Sequence, residues 1–195
     1  EDIKSLGDIE KMPVVTRETF RERNSDFLAR GVPMKYVKAG KTGGTTGTPL
    51  IVYKDQYDRT LTWASYYRWY RWMGLDLGDR SLTLWGARNV TRLRPADLLK
   101  TSFINYLQNS MVINSFEINS ENMHRVIKRL NSSKPEIIKG YLSALLFLAE
   151  YMDEKGIKLS YVPKAVSSTT ETLFAHNREY LMKIFCAPVY DQYGC

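Results

Sequence analysis

Lys41-Thr42-Gly43-Gly44-Thr45-Thr46-Gly47-Thr48-Pro49 lies between two β-prone runs at 35–39 and 50–53. Glycine accepts positive φ and lets the backbone come close to a ligand. Successive backbone N–H groups in such a loop form a concave anion site, and threonine hydroxyls add donors. The loop is read in two ways, as a plain hairpin connection or as a phosphate cradle. The nucleoside-triphosphatase loop is excluded, because Thr48 and Pro49 follow Gly47 where Lys and Ser/Thr are required. A dinucleotide fingerprint is excluded too, because Pro49 opens an extended segment in place of a helix.

The chain has 195 residues, of which 44% are hydrophobic, enough for a substantial core. Lys and Arg number 28 against 21 Asp and Glu, a net charge of +7 that suits anionic ligands. Cys186 and Cys195 have no metal-type spacing, and with only His124 and His176 beside them a zinc site is not expected. The two cysteines fit a reducing compartment, and no apolar run has the length of a membrane span. The chain opens on Glu1-Asp2 and stops in a glycine turn, Tyr193-Gly194-Cys195, so it is expected to be a piece of a longer protein.

Along the chain, Thr16 reads as the N-cap of a helix over 17–29. Residues 55–73 form a long helix by periodicity, its tyrosines and tryptophans read as core packing with amphipathic rims. Strands are expected at 81–85, 111–118, 135–139, 163–168 and 187–192. Helices are expected from about Pro95, then at 121–130, 141–155 and 172–185. This alternation predicts an α/β sheet covered by helices. Such a sheet binds ligands beyond the carboxyl ends of its strands, where Gly140-Tyr141, Ser168–Glu171 and Tyr193-Gly194 fall.

The loop resembles the Ser/Thr-Gly-Gly-Thr-Thr-Gly-x-Pro motif of the adenylate-forming enzymes, which include the acyl-CoA synthetases. Within them the chain is most similar to the phenylacetate–CoA ligase group, in its branch associated with capsular polysaccharide biosynthesis. Gly78-Asp79-Arg80, Ile118-Asn119-Ser120-Glu121, the run from Lys134 through Tyr141 to Ser143, Ser167–Leu173 and Asp191-Gln192-Tyr193-Gly194 occur in that group's order. The resemblance implies the N-terminal part of an α/β AMP-binding domain, a mixed sheet flanked by helices, with the C-terminal domain absent. Residues 1–33 would be a helical lead-in, and 34–195 the α/β portion with its phosphate loop at 42–49. It implies attack of a carboxylate on the α-phosphate of ATP, loss of pyrophosphate, and transfer of the acyl group to CoA or another thiol, amine or hydroxyl. Thr42, Gly43, Gly44, Thr45, Thr46 and Gly47 would hold phosphates. Ser168, Thr169, Thr170, Glu171, Asp191, Tyr193 and Gly194 would surround the adenine, and Tyr141 would line the acyl pocket. Magnesium is implied as well, its acid expected beyond Cys195, so no metal ligand is assigned within the chain.

The departures from the pattern matter equally. Thr48 and Leu50 stand where many relatives carry a lysine, Thr170 where a glycine usually precedes the adenine-pocket acid, and Leu142 where proline is common. Because the magnesium-binding acid and the C-terminal domain with its catalytic lysine are expected beyond Cys195, the 195 residues alone are not expected to catalyse adenylation, whereas the cytoplasmic parent is. Two alternatives remain: a nucleotide-binding module of the same fold that has lost catalysis, and a basic nucleic-acid-binding domain, for which no motif is present.

Overall fold

Among the described residues up to Tyr70 none is buried, and local hydrogen bonds define the elements. The computed structural model describes residues 3–41, 49–86 and 95–193 and divides the chain into two units, Glu1–Tyr66 and Tyr67–Cys195. In the first unit, the Thr16 hydroxyl accepts from the Thr19 amide at 3.2 Å and caps α1 (Arg17–Glu22). The expected single helix over 17–29 is broken after α1. The 3-10 turn Asn24–Phe27 follows, its Phe27 ring 4.8 Å from that of Phe20. Strands β1 (Lys38–Lys41) and β2 (Ile51–Lys54) pair antiparallel, Lys38 opposite Lys54 and Lys41 opposite Ile51. The glycine–threonine loop thus joins two paired strands, but Thr42 to Thr48 lie outside the described residues. The division between the units falls within α2 (Gln56–Trp72).

The second unit is built on a five-stranded parallel sheet. Its elements run β3 (Ser81–Leu84), α3 (Pro95–Leu107), β4 (Ser110–Ile113), α4 (Met123–Ser133), β5 (Ile137–Tyr141), α5 (Leu142–Glu154), β6 (Ala165–Thr169), α6 (Ala175–Phe185) and β7 (Val189–Gln192). The strand order is β4-β3-β5-β6-β7, every neighbouring pair parallel. Parallel and antiparallel pairing therefore occupy separate sheets. Side chains alternate between faces. Leu82, Leu84, Ile138, Val166 and Val189 bury against the apolar stripes of α4, α5 and α6. Ile137 and Ala165 face the other way, against Met73, Leu75, Trp69 and Tyr70. No residue of α2 itself is buried, and Tyr57, Trp63, Tyr67 and Trp72 are exposed. The expected core role for this helix is corrected accordingly, and packing against the sheet is confined to Trp69 and Tyr70. The aromatics are spread around the helix, so only one sector meets the sheet.

The strand expected at 111–118 ends at Ile113, because the Asn114 side chain accepts from the Phe116 amide and turns the chain into a 3-10 segment. No helix among the described residues is long and apolar enough to cross a membrane.

The Gly78-Asp79-Arg80 and Lys134-Pro135-Glu136 segments meet at the amino end of the sheet. The Arg80 amide donates to the Glu136 carboxylate at 2.7 Å, and the Arg80 carbonyl accepts from the Glu136 amide at 2.8 Å. The Lys164 ammonium donates to Asp79 at 2.7 Å, joining the lead-in of β6 to that of β3. These motif residues hold strands together, at the end opposite the candidate site.

Two outcomes follow from this packing. A Cβ at Gly140 would lie 2.6 Å from the Leu84 carbonyl oxygen and 2.8 Å from its Cβ. Gly140→Ala is expected to lower unfolding free energy by about 1–3 kcal/mol in urea titration. The hydrogen bond from Lys164 holds Asp79 below its ordinary value of 3.8, with burial opposing. The contribution is complete above the unfolded value and is lost as pH falls through the lowered one. The hydrogen bond to Asp79 likewise raises Lys164, so at the alkaline end the contribution is lost as pH rises through that raised value. The stability difference between wild type and Lys164→Met is therefore expected to shrink between ~pH 5 and ~pH 2. Acid titration of both proteins, followed by circular dichroism, checks it.

Candidate functional site

The chain crosses from β3 to β4 in one direction along the sheet, and from β4 through β5 and β6 to β7 in the other. The direction reverses between β3 and β5, and beyond the carboxyl ends of such a strand pair an open α/β sheet has its natural crevice. Trp85 and Gly86 leave β3 at this point, and Tyr141 ends β5. The rings of Trp85 and Tyr141 stack with centroids 4.4 Å apart and planes at 22°. The Tyr141 hydroxyl donates to the Gly86 carbonyl at 3.1 Å. Its proton is held firmly, since burial first and the Glu171 charge second raise the phenol above its ordinary value. Gly86 has no room for a side chain, because a Cβ there would lie 2.0 Å from the Asn114 side-chain oxygen.

A cleft of about 450 Å³ opens beside this pair, lined by Ser115, Phe116, Tyr141, Ser143, Phe147, Thr170 and Glu171, with Ala144 at its wall. That volume lies in the range of small-molecule sites. Phe116, Tyr141 and Phe147 supply apolar surface, and the polar groups come from the segments that follow β4, β5 and β6. The Glu171 carboxylate accepts from the Ser143 amide at 2.7 Å and from its hydroxyl at 2.8 Å. Ser143 lies in the first turn of α5, so Glu171 caps a helix and places negative charge at its positive end. The capped helix is α5, not the following one, which begins only at Ala175.

Glu171 is held in place by the residue before it. Thr170 has φ +70°, a left-handed conformation that a β-branched side chain resists. Its hydroxyl donates to the Thr169 carbonyl at 2.6 Å. The position where relatives of this pattern use glycine thus keeps a glycine-type backbone under a threonine.

The structure brings Tyr141, Thr170 and Glu171 to one cleft. Ser168, Thr169 and Asp191 stand at the neighbouring strand ends of β6 and β7. Ser168 is fully buried, with its hydroxyl 3.5 Å from an Asp191 carboxylate oxygen, and the Thr169 hydroxyl donates to the Gln192 carbonyl at 3.1 Å. Tyr193 is 93% exposed. Thr42, Gly43, Gly44, Thr45, Thr46, Gly47 and Gly194 lie outside the described residues. His176 stacks on Phe174, and His124 is exposed on α4. Sequence reasoning missed Phe116, Ser143 and Phe147 as lining residues, and Trp85 as the ring stacked on Tyr141. Trp85 was legible as the residue leaving a buried strand, whereas Phe116 and Phe147 carry no local signal.

Strain at Thr170 is of order 1–3 kcal/mol, and glycine's extra chain entropy is roughly 0.5–1 kcal/mol. Thr170→Gly is therefore expected to raise stability by about 1 kcal/mol. A lower urea midpoint for the variant would refute the strain assignment.

No protein-family model matches the chain. The chain is 29% identical to Protein CapK of Staphylococcus aureus over 194 residues, which is 97% of this chain and 41% of that protein. Among solved structures, it is similar to 2-hydroxyisobutyryl-CoA ligase in complex with 2-HIB-AMP and CoA, with a TM-score of 0.67 and 19% identity, covering 97% of this chain and 41% of that one. The same ligase in its postadenylation state with 2-HIB-AMP gives a TM-score of 0.69 at 18% identity, over 100% of this chain and 41% of that one. The anthranilate CoA ligase AuaEII in complex with anthranoyl-AMP gives 0.55 at 19% identity, over 80% and 28%. The chain spans about two fifths of the length of the first two of these proteins. The chain is thus similar to part of Protein CapK and has the fold of the matching part of these CoA ligases.

Proposed function

We propose that the chain is the nucleotide- and acyl-binding part of an ATP-dependent, carboxylate-activating enzyme that forms an acyl-adenylate. The observation that carries this reading is the single cleft on which Tyr141, Thr170 and Glu171 converge, at the carboxyl ends of β5 and β6 beside the sheet's reversal point. Similarity to ligases solved with acyl-AMP compounds supports it. The acyl group would lie against Tyr141 and Phe116. The adenine would lie toward Thr170, Asp191 and Tyr193, and phosphate binding would be the role of Thr42–Gly47. ATP supplies the leaving pyrophosphate, and the chain's own groups orient the reactants and exclude water. The acceptor is CoA or another thiol, amine or hydroxyl compound. A place in capsule or surface-polysaccharide synthesis, in the cytoplasm, belongs to the same proposal and rests on the sequence resemblance.

A second reading is a nucleotide-binding module of this fold without catalysis. It is favoured by threonine at 170 in a glycine conformation, and by Thr48 and Leu50 at the lysine positions.

The two readings separate by experiment. Calorimetric titration of the 195-residue chain with ATP is expected to show saturable binding without ATP–pyrophosphate exchange for any carboxylic acid. A longer protein carrying the chain is expected to catalyse exchange. There, Gly44→Val with Gly47→Val is expected to abolish it while leaving the circular dichroism spectrum intact. No exchange by the longer protein would overturn the first reading, and robust exchange by the 195 residues would overturn only their expected inactivity. Absence of ATP binding would overturn both.

A further inference from the structure

On the α2 side of the parallel sheet, one row of side chains is polar where an interior row is ordinarily apolar. Thr83, Lys139, Ser167 and Tyr190 occupy neighbouring positions on β3, β5, β6 and β7. Residues in register on parallel strands project to the same face. One step toward the amino ends, the same face carries Ile137 and Ala165, buried under Met73 and Leu75. The polar row therefore borders an apolar layer.

Lys139 is half-buried. Its ammonium donates to the Tyr70 hydroxyl at 2.8 Å and lies 5.0 Å from the centre of that ring. Among the described residues no carboxylate pairs with it, although a partly desolvated cation calls for one. Ser167 is 1% exposed, and its hydroxyl has no hydrogen-bond partner among the described residues. Buried hydroxyls are ordinarily satisfied.

The row also has a consistent hydrogen-bond polarity. An ammonium has three N–H donors and no acceptor, and one of the three is spent on Tyr70. Because the Tyr70 oxygen accepts from Lys139, its own proton remains to be donated. The Ser167 hydroxyl adds another donor on the adjoining strand. Lys139 gives the row a positive charge, with two further ammonium N–H donors beside the Tyr70 and Ser167 hydroxyl protons. An alternative is an ordered water on Ser167, but a water does not compensate the Lys139 charge.

We propose that this face of the sheet holds an oxyanion, a phosphoryl or carboxylate group, between the Lys139 ammonium and the hydroxyls of Tyr70 and Ser167. The site is distinct from the Tyr141–Glu171 cleft, and it stands on donors and burial within the second unit, independently of the ligase reading. Charge-assisted hydrogen bonds from an ammonium and hydroxyls suit such oxygens better than they suit chloride.

The test uses the whole 195-residue chain, titrated calorimetrically with sodium pyrophosphate, orthophosphate and acetate at constant ionic strength in chloride. Pyrophosphate and acetate report the phosphoryl and carboxylate sources separately. Saturable binding of at least one is expected, with the backbone amides of Lys139, Ser167 and Tyr190 moving in nitrogen–proton spectra. Lys139→Met is expected to weaken it by about tenfold or more, and Ser167→Ala by at least about threefold. Lys164→Met, at the amino end of the sheet, serves as a control for lost charge and is expected to leave affinity unchanged. Circular dichroism and melting temperature establish that each variant is folded. Ser167→Ala keeps the test decisive if Lys139→Met does not fold. Equal affinity of wild type and both folded variants, or no saturable oxyanion binding by wild type, overturns the assignment. ATP titration of the same proteins keeps the two conclusions apart. If ATP binds and the variants change nothing, the ligase reading stands and the oxyanion site falls. If pyrophosphate binding depends on Lys139 and ATP does not bind, the site stands and the ligase reading falls.

Discussion

The closeness of β3 and β5 where Gly140 passes Leu84 sets the geometry of everything beyond the carboxyl ends of the sheet. With no side chain at 140, the two backbones can pack with Leu84 filling the space a Cβ would need. That approach puts Trp85 and Tyr141, the next residues on each strand, in stacking contact. It also brings the Gly86 carbonyl within reach of the Tyr141 hydroxyl. Strand order then does the rest. Because the crossovers reverse at this pair, the segments after β4, β5 and β6 gather round a common cleft.

The two ends of the sheet divide the work between holding and binding. At the amino end, Asp79, Arg80, Glu136 and Lys164 satisfy one another across three strands. At the carboxyl end, Tyr141 bonds to Gly86 and Thr169 to Gln192 across strands, and the aromatic surface stays open. Glu171 joins two loops. By capping α5 it fixes the distance between the segments after β5 and β6, and Thr170 bears backbone strain beside it. A carboxylate that holds a helix end is a wall of the cleft whose position does not depend on a ligand.

Much of the scaffold was legible in the sequence. Runs such as Ser81–Leu84 and Ala165–Thr169 are short, uncharged and bounded by turns, which marks them as strand candidates. Thr16 declared its helix because capping is local. Strand order was not legible, since pairing joins residues far apart in the chain. The same reason hid the partner of Glu171, which lies 28 residues away. Asn114 cut short a strand that hydrophobicity alone extended to Ile118, because a single side chain competed for the backbone. The aromatic helix misled in the opposite direction. Ring-bearing residues signal burial on average, but distributed around a cylinder they cannot all face one sheet.

The stacked pair at the crevice also has an optical consequence. The chain has four tryptophans, and three of them, Trp63, Trp69 and Trp72, belong to α2. Trp85 alone sits against Tyr141, half open to solvent. Its indole emission is therefore set by that ring and by whatever displaces water from the crevice. With the three helical tryptophans changed to phenylalanine, the light from this one residue becomes a direct gauge of whether the mouth of the sheet is filled.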